Sequence, residues 1–289
     1  MNLRNHLPAR KGKVSDSLQL VKQLREITGA GILDCKKYLE RANNDLDEAI
    51  KLIRSEAGVK ANKKGSRIAA EGIVGFYEND THMLILELNS ETDFVARSDD
   101  FIKLSSDLSN LLLNDSFDKV EDKISNEISS VISKLGENIK LRRHKKIEKN
   151  NHMYGYTHNN KITAIVELQK DNEHLAKDIC MQVVASNPLA LDESLIDQNI
   201  LDSEKEIYKK ELDKIDKKDD IKRNILEGKM KKFINENTLL NQPFVKDPST
   251  TLAKLLKDNQ ILSFFRYEVG EGLEKKTEDF AQEVYNQIS

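Results

Sequence analysis

The stretch GIVGFYENDTHMLILELN, residues 72–89, holds two strand-like runs, GIVGFY (72–77) and MLILELN (83–89), around a turn at Asn79-Asp80. A helix is expected next, from about Ser98 to Leu113. Another carries Ile124, Ile128, Val131, Ile132 and Leu135 on one stripe and ends at Gly136. Ile139 and Leu141 then alternate with Lys140 and Arg142, as in a half-buried strand. The pattern recurs downstream. MYGYT (153–157) and ITAIVEL (162–168) flank the turn Asn159-Asn160-Lys161, a helix follows around Leu175 to Ser186, and ILSFFRYEV (261–269) offers a strand to complete a second sheet. Two ββα halves imply an α+β core with an internal pseudo-repeat. Its N-subdomain is assigned to 71–152, and its C-subdomain to 153–190 with 238–275.

Upstream of this core, residues 16–58 read as three short helices. Leu20, Leu24 and Ile27 stand at helical spacing before the Gly29 and Gly31 pair. Ile32, Cys35, Leu39 and Ala42 form a second stripe. A third helix opens with an Asp45-x-x-Glu48 capping box, runs through Leu46, Ala49, Ile50 and Ile53, and stops at Gly58. Leu33 is out of phase: with Ile32 inward, it points outward beside Lys36 and Lys37. Single exposed leucines are common, so docking surface and plain exposure both stay open at this point. Residues 1–15 are a basic extension without the apolar stretch of a secretory signal, and 59–70, with KANKKGSR at 60–67, is a linker.

Residues 191–237 form an insertion. Leu201, Tyr208 and Ile215 recur at seven residues with Leu212 in phase, a break spans Asp216 to Asp220, and Ile221 and Ile225 start a new stripe. This is the signature of an antiparallel helical hairpin of coiled-coil type, either projecting into solvent or pairing with a second copy. Residues 276–289 hold a short amphipathic helix, with Phe280, Ala281, Val284 and Ile288 on one side, that must dock to be stable.

Composition narrows the function. The chain has 289 residues, 38% hydrophobic and 33% charged, and a net charge of −3. Without a global basic field, direct nucleic-acid binding is not expected. Two distant cysteines fit a reducing compartment, and no apolar run is long enough to cross a bilayer. The six histidines show no ligand spacing, and no GxSxG elbow, P-loop or dinucleotide fingerprint occurs. The basic run RRHKKIEK (142–149) reads as a solvated strand face. No enzyme, metal or cofactor is expected.

The most unusual segment is SETDFVAR, residues 90–97. Local physics favours a plain reading: Ser90 and Asp93 match a capping box, and Phe94 and Val95 pack into the protein's own core. The rival reading is a wedge. A bulky aromatic at a helix start, held on both sides by rigid elements, loses little entropy on insertion into a partner.

Five motifs, TGAGILDCKK (28–37), NSETDFVAR (89–97), KLGENIKLRR (134–143), NQPFVKDP (241–248) and RYEVGEGLEK (266–275), together resemble the elongation factor Ts family in order and spacing, from about Ser15 onward. The resemblance implies a ubiquitin-associated-like helical domain, a two-subdomain core, a coiled-coil insertion and a C-terminal module. It implies a bacterial cytoplasmic guanine-nucleotide exchange factor in protein synthesis, acting in translation elongation. Its partner would be elongation factor Tu, GDP-bound and nucleotide-free, met as one copy, a homodimer or a 2:2 complex. Thr92, Asp93, Phe94 and Val95 would then dislocate Mg²⁺ and wedge into the partner, with Arg25, Ile32 and Leu33 of the helical domain binding it as well. Gln182 stands where many members carry a partner-contacting histidine, which puts that contact in doubt. The alternative is an adaptor whose helical domain binds a partner helix or peptide without exchange activity.

Overall fold

The computed structural model describes residues 12–53, 56 and 67–273, with side chains from 17 onward. Elements run in the order α1 (Gly12–Thr28), α2 (Ile32–Arg41), α3 (46–53), β1 (Glu71–Glu78), β2 (His82–Ser90), α4 (Asp93–Ala96), α5 (Asp99–Asn114), α6 (Phe117–Leu135), β3 (Lys140–Glu148), β4 (His152–His158), β5 (Ile162–Leu168), α7 (Glu173–Ser186), α8 (Gln198–Asp213), α9 (Asp219–Asn237), β6 (Pro243–Phe244), β7 (Asp247–Thr251), α10 (Leu252–Leu256) and β8 (Ile261–Glu268). The chain is α+β. Among the described residues one compact unit holds the part up to Ile73, Leu88–Arg143 and the part from Gly270; the other holds Val74–Glu87 and His144–Val269.

The first three helices close on Val21, Leu24, Cys35, Tyr38, Leu39, Ala42, Ala49 and Ile53. Asn43 and Asn44 take left-handed φ values of 53° and 64° between α2 and α3, a conformation asparagine tolerates. The Asp45 carboxylate then accepts from Glu48 N at 2.9 Å, half of the expected capping box. Three details differ from the sequence pattern. Helix α1 starts at Gly12 rather than near Asp16. Ile27 is 57% exposed, and Ile32 is 56% exposed rather than inward. Both flank the Gly29–Gly31 turn at the margin of the bundle, and the buried stripe of α2 begins one turn later at Cys35. The Gly58 stop, the linker up to 66, the extension up to 11 and the C-terminal helix lie outside the described residues.

Two three-stranded sheets carry the pseudo-repeat, in the orders β1-β2-β3 and β4-β5-β8. Asn79 organises the first hairpin by accepting from Thr81 N at 3.0 Å and His82 N at 2.7 Å. In the second sheet, β5 is central and antiparallel to both neighbours. Its apolar centre, Ala164-Ile165-Val166, is buried on both faces of the sheet. Ala164, Val166 and Leu168 pack with Ala176, Ile179, Cys180 and Val183 of α7, while Ile165 packs with Met83, Ile85 and Met153.

Helices α8 and α9 form the expected hairpin. Lys229 pairs with Glu211 at 2.5 Å and lies 4.8 Å over the Tyr208 ring. Leu212 is buried, but Ile215 is 41% exposed. The break falls at 214–218, earlier than expected, so Ile215 lies beyond the end of α8 and outside the seam. Strands β6 and β7 and helix α10 have two, five and five residues, too short to leave a period in the sequence.

Candidate functional site

Strand β2 ends at Ser90, and within two residues the chain has turned into α4, a helix of four residues. Thr92 is its N-cap, extended at φ −123° and ψ 158°, and its Oγ1 accepts from Val95 N at 3.4 Å. The expected Ser90/Asp93 capping box is therefore corrected. Ser90 Oγ donates to the Thr92 carbonyl at 2.8 Å, and Asp93 pairs with Arg97 at 2.7 Å, one turn on. Ser98 closes the far end. Its hydroxyl donates to Val95 O at 2.8 Å and accepts from Phe101 N at 3.4 Å, which starts α5.

Phe94 is 82% exposed. The reading that packs it into the protein's own core is overturned, and Val95 is only half-buried. A single turn ending at Ala96 offers one small residue, Ala96, to the interior. The core phenylalanine is Phe101, fully buried with Leu104, Leu108 and Leu112 along α5.

What holds this turn comes from far along the chain. Helix α6 ends at Gly136, whose φ of 84° is left-handed, and the two residues after it reach the tip. Glu137 accepts from Thr92 Oγ1 at 2.6 Å and from Thr92 N at 2.9 Å. Asn138 N donates to Glu91 at 2.6 Å, and Asn138 Nδ2 donates to Arg67 O at 2.7 Å. Lys134 reaches Asp100 at 2.6 Å. Nothing in the local sequence singles out Glu137, since its partner lies 45 residues away.

In the helical bundle, Arg25 is exposed and Leu33 is 84% exposed. Ile27 joins Ile32 and Leu33 as an exposed apolar residue beside the Gly29–Gly31 turn. The turn is fixed from within: Gly29 N donates to Arg25 O at 2.8 Å and Thr28 Oγ1 to Leu24 O at 2.6 Å. Cys35 sits beneath it, and burial pushes its thiol up from the ordinary range.

Gln182 is not on the surface. It is 2% exposed, its Nε2 donates to Gln242 Oε1 at 3.1 Å and Pro243 O at 3.3 Å, and its Oε1 accepts from Val245 N at 2.7 Å. Its amide ties α7 to the β6 segment and is spent inside the protein. Burial also pushes the Cys180 thiol up to about 12. Among the described residues, no group of three or more His, Cys, Asp or Glu could hold a metal ion, and no helix is long and apolar enough to cross a membrane.

The site thus offers exposed apolar groups on rigid turns. A family model described as Elongation factor TS matches residues 91–271. An Elongation factor Ts of Thioalkalivibrio sulfidiphilus is 40% identical over 283 residues, covering 93% of this chain and 97% of that protein. The one of Alkalilimnicola ehrlichii is 41% identical over 285 residues, covering 94% and 98%. The one of Ruthia magnifica is 42% identical over 284 residues, covering 93% and 96%.

Proposed function

The chain belongs to the elongation factor Ts family, and we propose that it is a guanine-nucleotide exchange factor that binds elongation factor Tu carrying GDP, loosens Mg²⁺ and releases the nucleotide. It forms and breaks no covalent bond, so it is not an enzyme in the usual sense. Its place is the elongation cycle of protein synthesis, in the cytoplasm where that cycle runs.

The observation that carries this reading is Phe94, 82% exposed on a one-turn helix that is hydrogen-bonded at both ends. A lone exposed leucine on a mobile loop would mean little. A phenylalanine presented by a fixed turn needs no backbone ordering on binding, so insertion costs less. A P-loop GTPase holds GDP through backbone amides, a lysine and Mg²⁺. A wedge that shifts those loops weakens all three, and Asp93, beside Phe94, brings a carboxylate to the metal's surroundings.

Coupling between nucleotide and exchange factor is reciprocal. A ~10⁴-fold mutual weakening needs roughly 5.5 kcal/mol of differential binding. Burying one phenylalanine supplies about 1.5–3 kcal/mol, so a second surface has to share the work. Arg25, Ile32 and Leu33, with Ile27 beside them, are that surface. Gln182 is left out, because its amide is satisfied internally. In this reading 16–58 is the ubiquitin-associated-like domain, 71–152 and 153–190 with 238–275 are the core subdomains, and 191–237 is the coiled-coil arm.

The test is stopped-flow release of a fluorescent GDP from elongation factor Tu. The intact chain should accelerate release. Phe94→Ala should lose much of the acceleration while melting like the parent, since an exposed side chain contributes within about 0.5 kcal/mol to stability. The second reading, an adaptor working through exposed Leu33 and Ile32, predicts binding without acceleration. An unchanged release rate would therefore overturn the exchange reading.

A further inference from the structure

We infer that Glu137 is a positioning residue for that exchange, setting the direction in which Phe94 points by holding Thr92. The inference rests on the exchange reading and adds to it a residue that never meets the partner's nucleotide. Four hydrogen-bonded residues cannot hold a helical turn by themselves, and α4 buries only Ala96. Its geometry must be imposed from outside.

Glu137 does this through one carboxylate. Oε2 takes the Thr92 backbone N–H and Oε1 takes the Thr92 hydroxyl, at 2.9 and 2.6 Å. The same hydroxyl oxygen accepts from Val95 N, so its proton points to Glu137 while its lone pair caps the turn. Cap and clamp are one linked chain of bonds, Glu137 to Thr92 to Val95, and Phe94 lies between the last two. A reciprocal bond stands alongside: Asn138 N donates to Glu91 at 2.6 Å. Residues 91–92 and 137–138 are therefore paired in both directions, and Asn138 is itself buried and bonded to Arg67 O. Phe94 is free of packing constraints of its own, so what directs it is this pairing.

The experiment is a double-mutant cycle on the full chain, with Glu137→Ala, Phe94→Ala and the double variant, read by fluorescent GDP release from elongation factor Tu. Amide hydrogen exchange of residues 92–96 is measured alongside in the free protein. Glu137→Ala should speed amide exchange at Thr92 and Val95 and slow GDP release on the order of tenfold to a hundredfold, the scale of a misaligned group. In the Phe94→Ala background the same change should have little further effect, because Glu137 acts only through the phenylalanine. If the two losses multiply instead, Glu137 has a general structural role and the inference is wrong. It is equally wrong if Glu137→Ala releases GDP at the parent rate. If the parent itself fails to accelerate release, the exchange reading falls and takes this inference with it, an outcome visible before any variant is compared. Should Glu137→Ala fold poorly, Glu137→Gln keeps the side chain's size, replaces one of the two accepting oxygens with an amide nitrogen that cannot accept, and reads the same cycle.

Discussion

The aliphatic stem of Lys134 runs against Gly29, so close that a β-carbon on that glycine would lie 2.9 Å from the lysine Cδ. The lysine's ammonium continues to Asp100, 2.6 Å away on α5. One side chain thus touches the turn that presents Ile32 and Leu33 and also the helix that follows the Phe94 tip. Gly29 is also left-handed at φ 65°. Two costs therefore meet in Gly29→Ala: the backbone strain of a β-carbon at positive φ, about 1–2 kcal/mol, and the displacement of the Lys134 stem. Lys134 is flexible and can give way, so the backbone term should dominate. Urea unfolding should show Gly29→Ala destabilised by about 1–2 kcal/mol, and adding Lys134→Ala should recover only a small part of it.

Gln182 leads to the opposite kind of prediction. Its amide satisfies Val245 N and joins Gln242, which Ser186 also binds at 2.6 Å. Gln182→Ala takes a donor from the buried Gln242 and the acceptor from Val245 N, at a cost of about 1–3 kcal/mol, with a cavity cost added. Urea unfolding measures that loss. GDP release catalysed per folded molecule should stay at the parent rate, because the side chain never reaches the surface. A large loss of exchange in a fully folded variant would mean that Gln182 reaches the partner after all.

These two residues show where the sequence was legible. Long amphipathic stripes and the alternation around the two hairpins give the α+β pseudo-repeat directly, because burial of one face imposes its own period. The tip is harder. Phe94 and Phe101 each follow a capping hydroxyl, Thr92 and Ser98, and their local settings look alike. What separates them is element length: Phe101 is in phase with Leu104, Leu108 and Leu112 in a helix of 16 residues, whereas Phe94 sits in one of four. Gln182 carried a readable signal as well. It falls in phase with Ile179 on an apolar stripe, and a polar residue there belongs to an internal network more often than to a surface. Glu137 carried none, since a hydrogen bond across 45 residues leaves no local period.

The two thiols report on pH. Both are buried, and burial raises both above the ordinary value of 9.0, Cys180 to about 12. At pH 8 the Cys180 thiolate fraction in the folded protein is thus on the order of 10⁻⁴. Iodoacetamide should label neither cysteine in the native protein at that pH, and labelling should appear in step with unfolding by urea. A folded pKa raised above the unfolded value gives stability that is complete below the unfolded value and lost as pH rises toward the folded one. The contribution of Cys180 should therefore hold up to about pH 9 and decline between about 9 and 12. Rapid labelling of native Cys180 at pH 8 would contradict the burial on which this rests.

Leu33 separates docking from plain exposure. At 84% exposed, it supports little of the fold, so Leu33→Ala should leave the melting temperature essentially unchanged. If the leucine is buried by the partner, its loss removes about 1.5–3 kcal/mol of binding, roughly tenfold to a hundredfold in affinity at 1.4 kcal/mol per decade. The consequence for exchange depends on how the work is divided. In the proposed division Phe94 acts on the nucleotide site, and Phe94→Ala should then lower the maximal release rate at saturating exchange factor. If Leu33 helps hold the partner, Leu33→Ala should raise the concentration needed for half-maximal rate with a smaller effect on the maximum. Leu33 and Phe94 stand on different elements, α2 and α4, so their effects on the second-order rate should multiply. A Leu33→Ala variant with parental concentration dependence would remove the helical domain from the interface and leave the missing binding energy to another surface.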